Sequence, residues 1–272
     1  MRFILWLSVM WFAAVQAATA HELWIEPIDY QPKAESKLEA LLVNGQNFAG
    51  NGGTAVRLAY IPKWFTRFDM SLGDTVAPVP GRIGDTPALD MDALGEGLHV
   101  AVYQSSGDVV SYDGMEKFQT FLGHKGLERF EAQHLARGLS QERFSEYYTR
   151  FSKSLIGVGA AQGNDRDMGL ETELVALDNP YLVRGDIRVR LTYQGAARAN
   201  VPLELFEKSL SGDVARKVFM TDDQGVAQLP VQPGYSYMVD AVVMREPAAA
   251  LAAEKSVVWE SLWANLTFAV PK

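Results

Sequence analysis

Short apolar segments separated by turn residues dominate the first part of the chain. Three of them, residues 38–43, 55–60 and 98–103, are rich in the aliphatic, β-branched and aromatic side chains that suit a pleated surface. Turn signals such as Asn44-Gly45 separate these segments. The pattern predicts a β-sandwich domain over residues 21–112.

Residues 113–158 show helical spacing instead of alternation. The apolar positions at this spacing are Met115, Phe118 and Leu122, then Leu127, Phe130 and His134, and finally Phe144, Tyr147, Tyr148, Phe151 and Leu155. Gly138 is expected to end the second helix, and Ser140 is the expected N-cap of the third. The pattern therefore predicts a helical insertion between two β segments.

The glycine-rich residues 159–169 predict a linker, after which the β pattern returns. Further strands are predicted at residues 171–175, 187–191, 201–206, 237–243 and 266–270. The turn at residues 221–225, followed by an apolar run, indicates a hairpin, since Asp and Gly tolerate the positive φ that such turns need. The fold class expected is mainly β, with a second sandwich domain over residues 170–272.

The first twenty residues have the three parts of a secretory signal peptide. Arg2 supplies the positive start, residues 3–14 the apolar run, and Ala18-Thr19-Ala20 the small residues of a cleavage site. The apolar run is shorter than the roughly 20 residues of a transmembrane helix. We therefore expect residues 1–20 to be removed and the mature chain to be periplasmic and not an integral membrane protein. Cleavage after Ala17 is the alternative.

Composition excludes several classes of function. The chain has no cysteine, so disulfides, thiolate metal ligands and a cysteine nucleophile are excluded. Its net charge of −8, with no basic cluster, argues against a nucleic-acid partner. No serine-hydrolase elbow, zinc-protease motif, phosphate loop or dinucleotide fingerprint is present, so the protein is not expected to be an enzyme.

Several sequence blocks resemble a known family. They are residues 21–27 (HELWIEP), 117–122 (KFQTFL), 146–153 (EYYTRFSK), 169–175 (GLETELV) and 259–268 (WESLWANLTF). Together they resemble bacterial exported proteins of unknown function that are often labelled as a periplasmic component of a cobalt or nickel uptake system. The resemblance covers essentially the whole mature chain. It implies two immunoglobulin-like or transthyretin-like β-sandwich domains and a role in metal uptake.

His21 is the leading candidate for a metal ligand. Cleavage after Ala20 would make it the first residue, and its α-amine and imidazole would then form a chelate for a divalent transition metal such as nickel, cobalt or copper. His99, in a predicted strand of the same domain, is the first choice for a second ligand, although a hydrogen-bonded core histidine is the alternative there. His124 is expected to cap a helix C-terminus and His134 to pack against the core.

These observations favour a metal-binding accessory protein of the periplasm. It would capture the metal through His21 and deliver it to a membrane metal transporter or another partner. The main alternative is a structural or adaptor β-sandwich protein that engages a membrane complex without metal. A copper oxidase or oxygenase built on the two histidines is a third hypothesis.

Overall fold

The computed structural model describes residues 21–49 and 54–272, so the predicted signal peptide lies outside the described residues. The strands are β1 (Glu22–Pro27), β2 (Lys37–Gly45), β3 (Ala55–Leu58), β4 (Phe65–Leu72), β5 (Thr75–Pro78), β6 (Leu89–Asp92), β7 (Gly97–Ser105), β8 (Asp108–Asp113), β9 (Arg143–Val158), β10 (Thr172–Ala176), β11 (Ile187–Tyr193), β12 (Ala196–Ala197), β13 (Pro202–Lys208), β14 (Val214–Met220), β15 (Val226–Leu229), β16 (Ser236–Arg245) and β17 (Trp259–Ala269). The helices are α1 (Met115–Lys125), α2 (Arg129–Ala136) and α3 (Ala249–Lys255). Within the described ranges, no helix has the length and apolar character needed to cross a membrane.

The described strands form three sheets, and the largest is the central sheet. Its strand order is β14-β13-β16-β17-β9-β7-β4-β5, with β8 also paired to β9. All of its pairs are antiparallel except β17 with β9, which run parallel. Strands from both predicted sandwich segments therefore share one hydrogen-bonded sheet, and β9 lies at its middle.

The other two sheets cover opposite faces of the central sheet. The C-terminal sheet (β10, β11, β12 and β15) packs on one face through a core that includes Leu155, Leu174 and Val239. The N-terminal sheet (β1, β2, β3 and β6) and the helices α1 and α2 cover the other face. The fold is mainly β with few helices, as the sequence predicted, and the layered sheets fit a sandwich architecture.

The first two predicted helices are confirmed, but the third is wrong. Residues 143–158 form the strand β9, in which Phe151 and Leu155 face the C-terminal sheet while Ile156 and Val158 face the N-terminal sheet. Because both faces are covered, apolar residues occur on both sides and alternation is lost from the sequence. The helical insertion therefore ends at Ala136.

The predicted hairpin after β14 is also wrong, although its turn forms. The amide of Gly225 donates to the carbonyl of Asp222 at 3.0 Å, and Gly225 has a φ of 72°. The strands on either side then separate, since β14 pairs with β13 whereas β15 pairs with β11 of the C-terminal sheet. The turn thus connects two sheets and closes no hairpin.

One edge of β1 is held against the central sheet by side chains. Its other edge pairs with β2 in the ordinary antiparallel way. The carbonyl of Leu23 accepts hydrogen bonds from Ser152 and Asn265, and the carbonyl of Ile25 accepts one from Thr267 at 2.7 Å. These buried polar side chains satisfy the backbone groups of an edge strand that would otherwise lack partners. They fix the position at which β1 begins.

Candidate functional site

The first residues of β1 lie between two pockets. Glu22 lines one of them, beside α1, together with Lys125 and Trp263. The next residue, Leu23, lines the other together with Arg150. Because side chains alternate along a strand, consecutive residues point to opposite sides. The start of β1 therefore contributes to both pockets.

A buried lysine lies at the base of the first pocket. The ammonium of Lys125, in the last turn of α1, donates to Glu22 at 2.7 Å, to Glu204 at 2.5 Å and to Asp240 at 2.9 Å. It also lies 4.8 Å from the centre of the Trp263 ring. We call Lys125, Glu22, Glu204 and Asp240 the Lys125 cluster. It ties β1, α1, β13 and β16 together.

The charges of the Lys125 cluster control one another. Burial disfavours the charged form of Lys125, but the carboxylates of Asp240, Glu22 and Glu204 outweigh burial and raise its pKa. Burial likewise opposes ionisation of Glu22, yet the Lys125 ammonium prevails and lowers the pKa of that carboxyl. For Asp240 burial dominates and raises the pKa to about 7. The ammonium is thus the counter-ion that keeps the cluster charged.

The three carboxylates of this cluster also have the spacing of a cation site. One oxygen from each of Glu22, Glu204 and Asp240 lies within 4.8 Å of the others. The Lys125 ammonium already donates to all three groups, however. A metal ion would have to displace a lysine whose charged form the site stabilises. The arrangement therefore supports a structural role for the cluster.

A second buried carboxyl lies close to the same pocket. Glu146 of β9 accepts hydrogen bonds from Ser261 and from the hydroxyl of Tyr112, the latter at 2.9 Å. The indole N–H of Trp263 in turn donates to Ser261 at 2.9 Å. Burial raises the pKa of Glu146 to about 7 despite these donors. The group therefore changes protonation near neutral pH.

His21 lies next to Arg150 at the start of β1. Its carbonyl accepts a hydrogen bond from the guanidinium Nε of Arg150 at 2.9 Å, which fixes the backbone at this residue. Burial lowers the pKa of the His21 imidazole; Glu22 opposes this effect and Arg150 adds to it. The ring is therefore neutral at pH 7, the form in which imidazole binds metals.

The structure does not bring His99 to His21. His99 is fully buried in β7, where its Nε2 accepts from the amide of Leu94 at 3.1 Å and its Nδ1 donates to the carbonyl of Gly97 at 3.2 Å. It pairs across β7 and β9 with Ile156, six positions from Arg150 along β9, a separation of about 20 Å at 3.3 Å per residue. With both ring nitrogens occupied, His99 behaves as the core histidine that was the alternative prediction.

The other two histidines have the expected placements. His124 is exposed in the last turn of α1. His134 is fully buried in α2, accepts a hydrogen bond from the indole of Trp259 at 3.0 Å and donates to the carbonyl of Ser140 at 3.0 Å. Among the described residues, neither belongs to a group of three or more possible metal ligands.

Sequence reasoning missed the Lys125 cluster because its partners are distant along the chain. Glu22 and Lys125 are 103 residues apart, and Lys125 and Asp240 are 115 residues apart. A signal was present in the strand around Asp240, where a carboxylate stands within an otherwise apolar run. A charge buried in such a run requires an opposite partner.

Comparisons with known proteins give a family but no function. No curated protein matches the chain, and no solved structure matches it. Residues 18–245 match a family described as "Domain of unknown function (DUF4198)". The match covers most of the chain, including His21, α1, β9 and β16. The chain therefore belongs to the DUF4198 family.

Proposed function

We propose that this protein is a metal-binding accessory protein of the periplasm, which captures a divalent transition metal through His21 and passes it to a membrane transporter or another partner. The observation that carries the proposal is the setting of His21. Its backbone is held by Arg150 and its imidazole is neutral at pH 7. A neutral ring has the protonation state that metal binding requires, and the held backbone limits where the ring lies.

Removal of residues 1–20 would complete the chelate. The α-amine of His21 would then lie on the same residue as the imidazole, and both nitrogens suit nickel, cobalt or copper. An α-amine has an ordinary pKa of about 7.7–8.0, so it must lose a proton before it binds. We therefore expect metal affinity to fall steeply as the pH is lowered from 8 to 6.

Two nitrogens from one residue leave most coordination positions open. His99 is remote from this site, and the Glu22 carboxylate is committed to Lys125. A partially coordinated metal exchanges more readily than one enclosed by four protein ligands, which suits a protein that hands its metal on. The exported proteins that this sequence resembles are often labelled as part of a cobalt or nickel uptake system, and that label is consistent with this role.

The proposal is tested by calorimetric titration of the mature chain with Ni(II) and Cu(II) at pH 7.5. We expect one site per chain, and a loss of affinity of at least about tenfold in His21→Ala. The matched control is His124→Ala, which removes an exposed histidine on α1 and should leave affinity unchanged. Equal affinity in His21→Ala and the unchanged chain would contradict the proposal.

An acetylated chain separates the chelate from a lone imidazole. Acetylation of the His21 α-amine keeps the ring but removes the amine as a ligand. If the chelate is the site, the acetylated chain should bind Ni(II) at least about tenfold more weakly than the unmodified mature chain. Full affinity in the acetylated chain would exclude the amine as a ligand.

The adaptor alternative rests on the edge strand β14. Within the described residues β14 pairs only with β13, and Val218 and Met220 are 52% and 57% exposed on it. An exposed edge of this kind is able to accept a strand from a partner protein.

Thermal unfolding with and without Ni(II) distinguishes the two functions. A metal carrier should show a melting temperature that rises with Ni(II) concentration, whereas the melting temperature of a metal-free adaptor should not change.

A further inference from the structure

Arg150 is a buried arginine whose positive charge has no carboxylate partner. It is only 5% exposed, yet across residues 21–49 and 54–272 no Asp or Glu forms an ion pair with it. Its Nε donates to the carbonyl of His21, and its guanidinium lies 4.2 Å from the centre of the Tyr148 ring. The two terminal nitrogens make no hydrogen bond to any described residue. These remaining N–H donors are free to bind an anion.

Arg150 lines a pocket open to solvent. The pocket has a volume of about 220 Å³. Its apolar and aromatic walls are formed by Leu23, Leu58, Trp64, Tyr103 and Tyr148. A concave, mostly apolar cavity with one placed charge is the usual form of a small-molecule site.

We propose that this pocket, the Arg150 pocket, binds a small organic carboxylate with an apolar or aromatic body. The guanidinium offers a planar pair of N–H donors that matches a carboxylate in a bidentate manner. The contacts with His21 and Tyr148 hold its plane in place before a ligand arrives. The aromatic walls would cover the remainder of the ligand.

The acidic groups near Arg150 do not replace such a ligand. Asp108 lines the rim of the pocket, but it is exposed and accepts a hydrogen bond from the amide of Val109 at 2.8 Å. Glu146 lies four positions from Arg150 along β9 and accepts hydrogen bonds from Tyr112 and Ser261. The field at the unpaired guanidinium end is therefore positive. This inference does not rest on metal binding by His21.

The test uses the metal-free mature chain and four probes: benzoate, acetate, inorganic phosphate and benzyl alcohol. Benzoate has both a carboxylate and an apolar body. Acetate lacks the apolar body, benzyl alcohol lacks the charge, and inorganic phosphate is a different kind of anion. We expect benzoate to bind with a Kd below about 1 mM, at least about tenfold tighter than any other probe, by calorimetry and by NMR shifts of residues that line the pocket. Equal binding of benzyl alcohol or of phosphate would overturn the proposal.

Two variants and a control assign the site. Arg150→Gln should weaken benzoate binding at least about tenfold, while Arg143→Gln, an exposed arginine on the same strand, should leave it unchanged. Leu58→Trp fills the pocket while keeping Arg150, so it tests the site even if Arg150→Gln fails to fold. Benzoate binding that survives in folded Arg150→Gln or in Leu58→Trp would place the ligand elsewhere and refute the inference.

Discussion

At the scale of single residues, the chain stabilises buried charges by surrounding them with partners from distant segments. Lys125 has three carboxylates around it, and Lys153 has Asp165 at 2.8 Å and Glu173 at 2.9 Å. Each lysine is buried, so the pairing compensates for the loss of water. Removing one member of such a cluster costs more than the cluster itself contributes, because the remaining charges stay buried without a counter-ion.

The variant Lys125→Met tests this account of the Lys125 cluster. It keeps the aliphatic stem but removes the ammonium, leaving Glu22 and Asp240 without their counter-ion while Glu204 keeps Arg216 at 2.5 Å. We expect the free energy of unfolding at pH 7 to fall by roughly 3–5 kcal/mol in urea titrations. Lys117→Met, an exposed change on the same helix, should alter it by less than about 0.5 kcal/mol. A loss under about 1 kcal/mol in Lys125→Met would contradict the role given to the lysine.

Glu146 should make stability depend on pH. Its pKa is about 7 in the folded chain and about 4.5 when unfolded, so the folded chain holds a proton that the unfolded chain releases between these values. The free energy of unfolding should therefore decrease as the pH rises from 4.5 to 7, by up to about 3 kcal/mol from this group. Asp240, with a pKa of about 7, adds a decrease in the same direction.

Unfolding titrations at pH 5, 6 and 7 measure this dependence. In Glu146→Gln the free energy of unfolding should decrease less as the pH rises, and only the decrease due to Asp240 should remain. Glu142→Gln, an exposed neighbour, should keep the full slope. A slope that is the same in Glu146→Gln and the unchanged chain would show that Glu146 does not titrate in this range.

At the scale of elements, β9 shows what the sequence was able to predict and what it was not. The strands with apolar runs bounded by turns, such as β2, β7 and β16, were found because local composition was enough. In β9 the residues Glu146 and Arg150 are polar yet buried. The apolar residues of this strand therefore have the spacing expected of a helix. The partners of Glu146 and Arg150 come from β17, from β8 and from His21 just before β1, which no local pattern reveals. His21 was singled out because the predicted cleavage site just before it is a local signal, and its role stays a prediction.

The docking of β1 by side chains gives a prediction about Thr267. Thr267→Val keeps the shape of the side chain but removes the donor to the carbonyl of Ile25, leaving a buried acceptor unsatisfied. We expect the free energy of unfolding to fall by about 1–3 kcal/mol, with faster hydrogen exchange in β1. Thr66→Val, an exposed change on β4, is the control and should have little effect. Unchanged exchange in β1 would argue against this mode of docking.

At the scale of the whole molecule, the central sheet joins the two predicted sandwich segments. β17 pairs with β9 over residues Trp259 to Thr267, and β9 also pairs with β7 and β8. The N-terminal half therefore has an unpaired sheet edge and an uncovered apolar face when the C-terminal half is absent. Local patterns did not predict this connection, because the pairing of β9 with β17 spans more than a hundred residues.

This architecture predicts that the halves do not fold separately. A fragment of residues 21–169 should lack cooperative unfolding and dispersed amide resonances, whereas residues 21–272 should unfold in a single transition. The measurement is a urea titration followed by circular dichroism and by tryptophan fluorescence, with coincident curves expected for the longer chain. A fragment that folds cooperatively by itself would show two independent domains.

The most direct test of the proposed function is the intact mass of the protein purified from the periplasm, measured under native conditions with and without added Ni(II) or Cu(II). The account predicts a chain that begins at His21 and retains one metal ion, and that loses this ion in His21→Ala while His124→Ala keeps it. A chain that begins at Ala18, or one that begins at His21 and takes up no metal, would contradict the account.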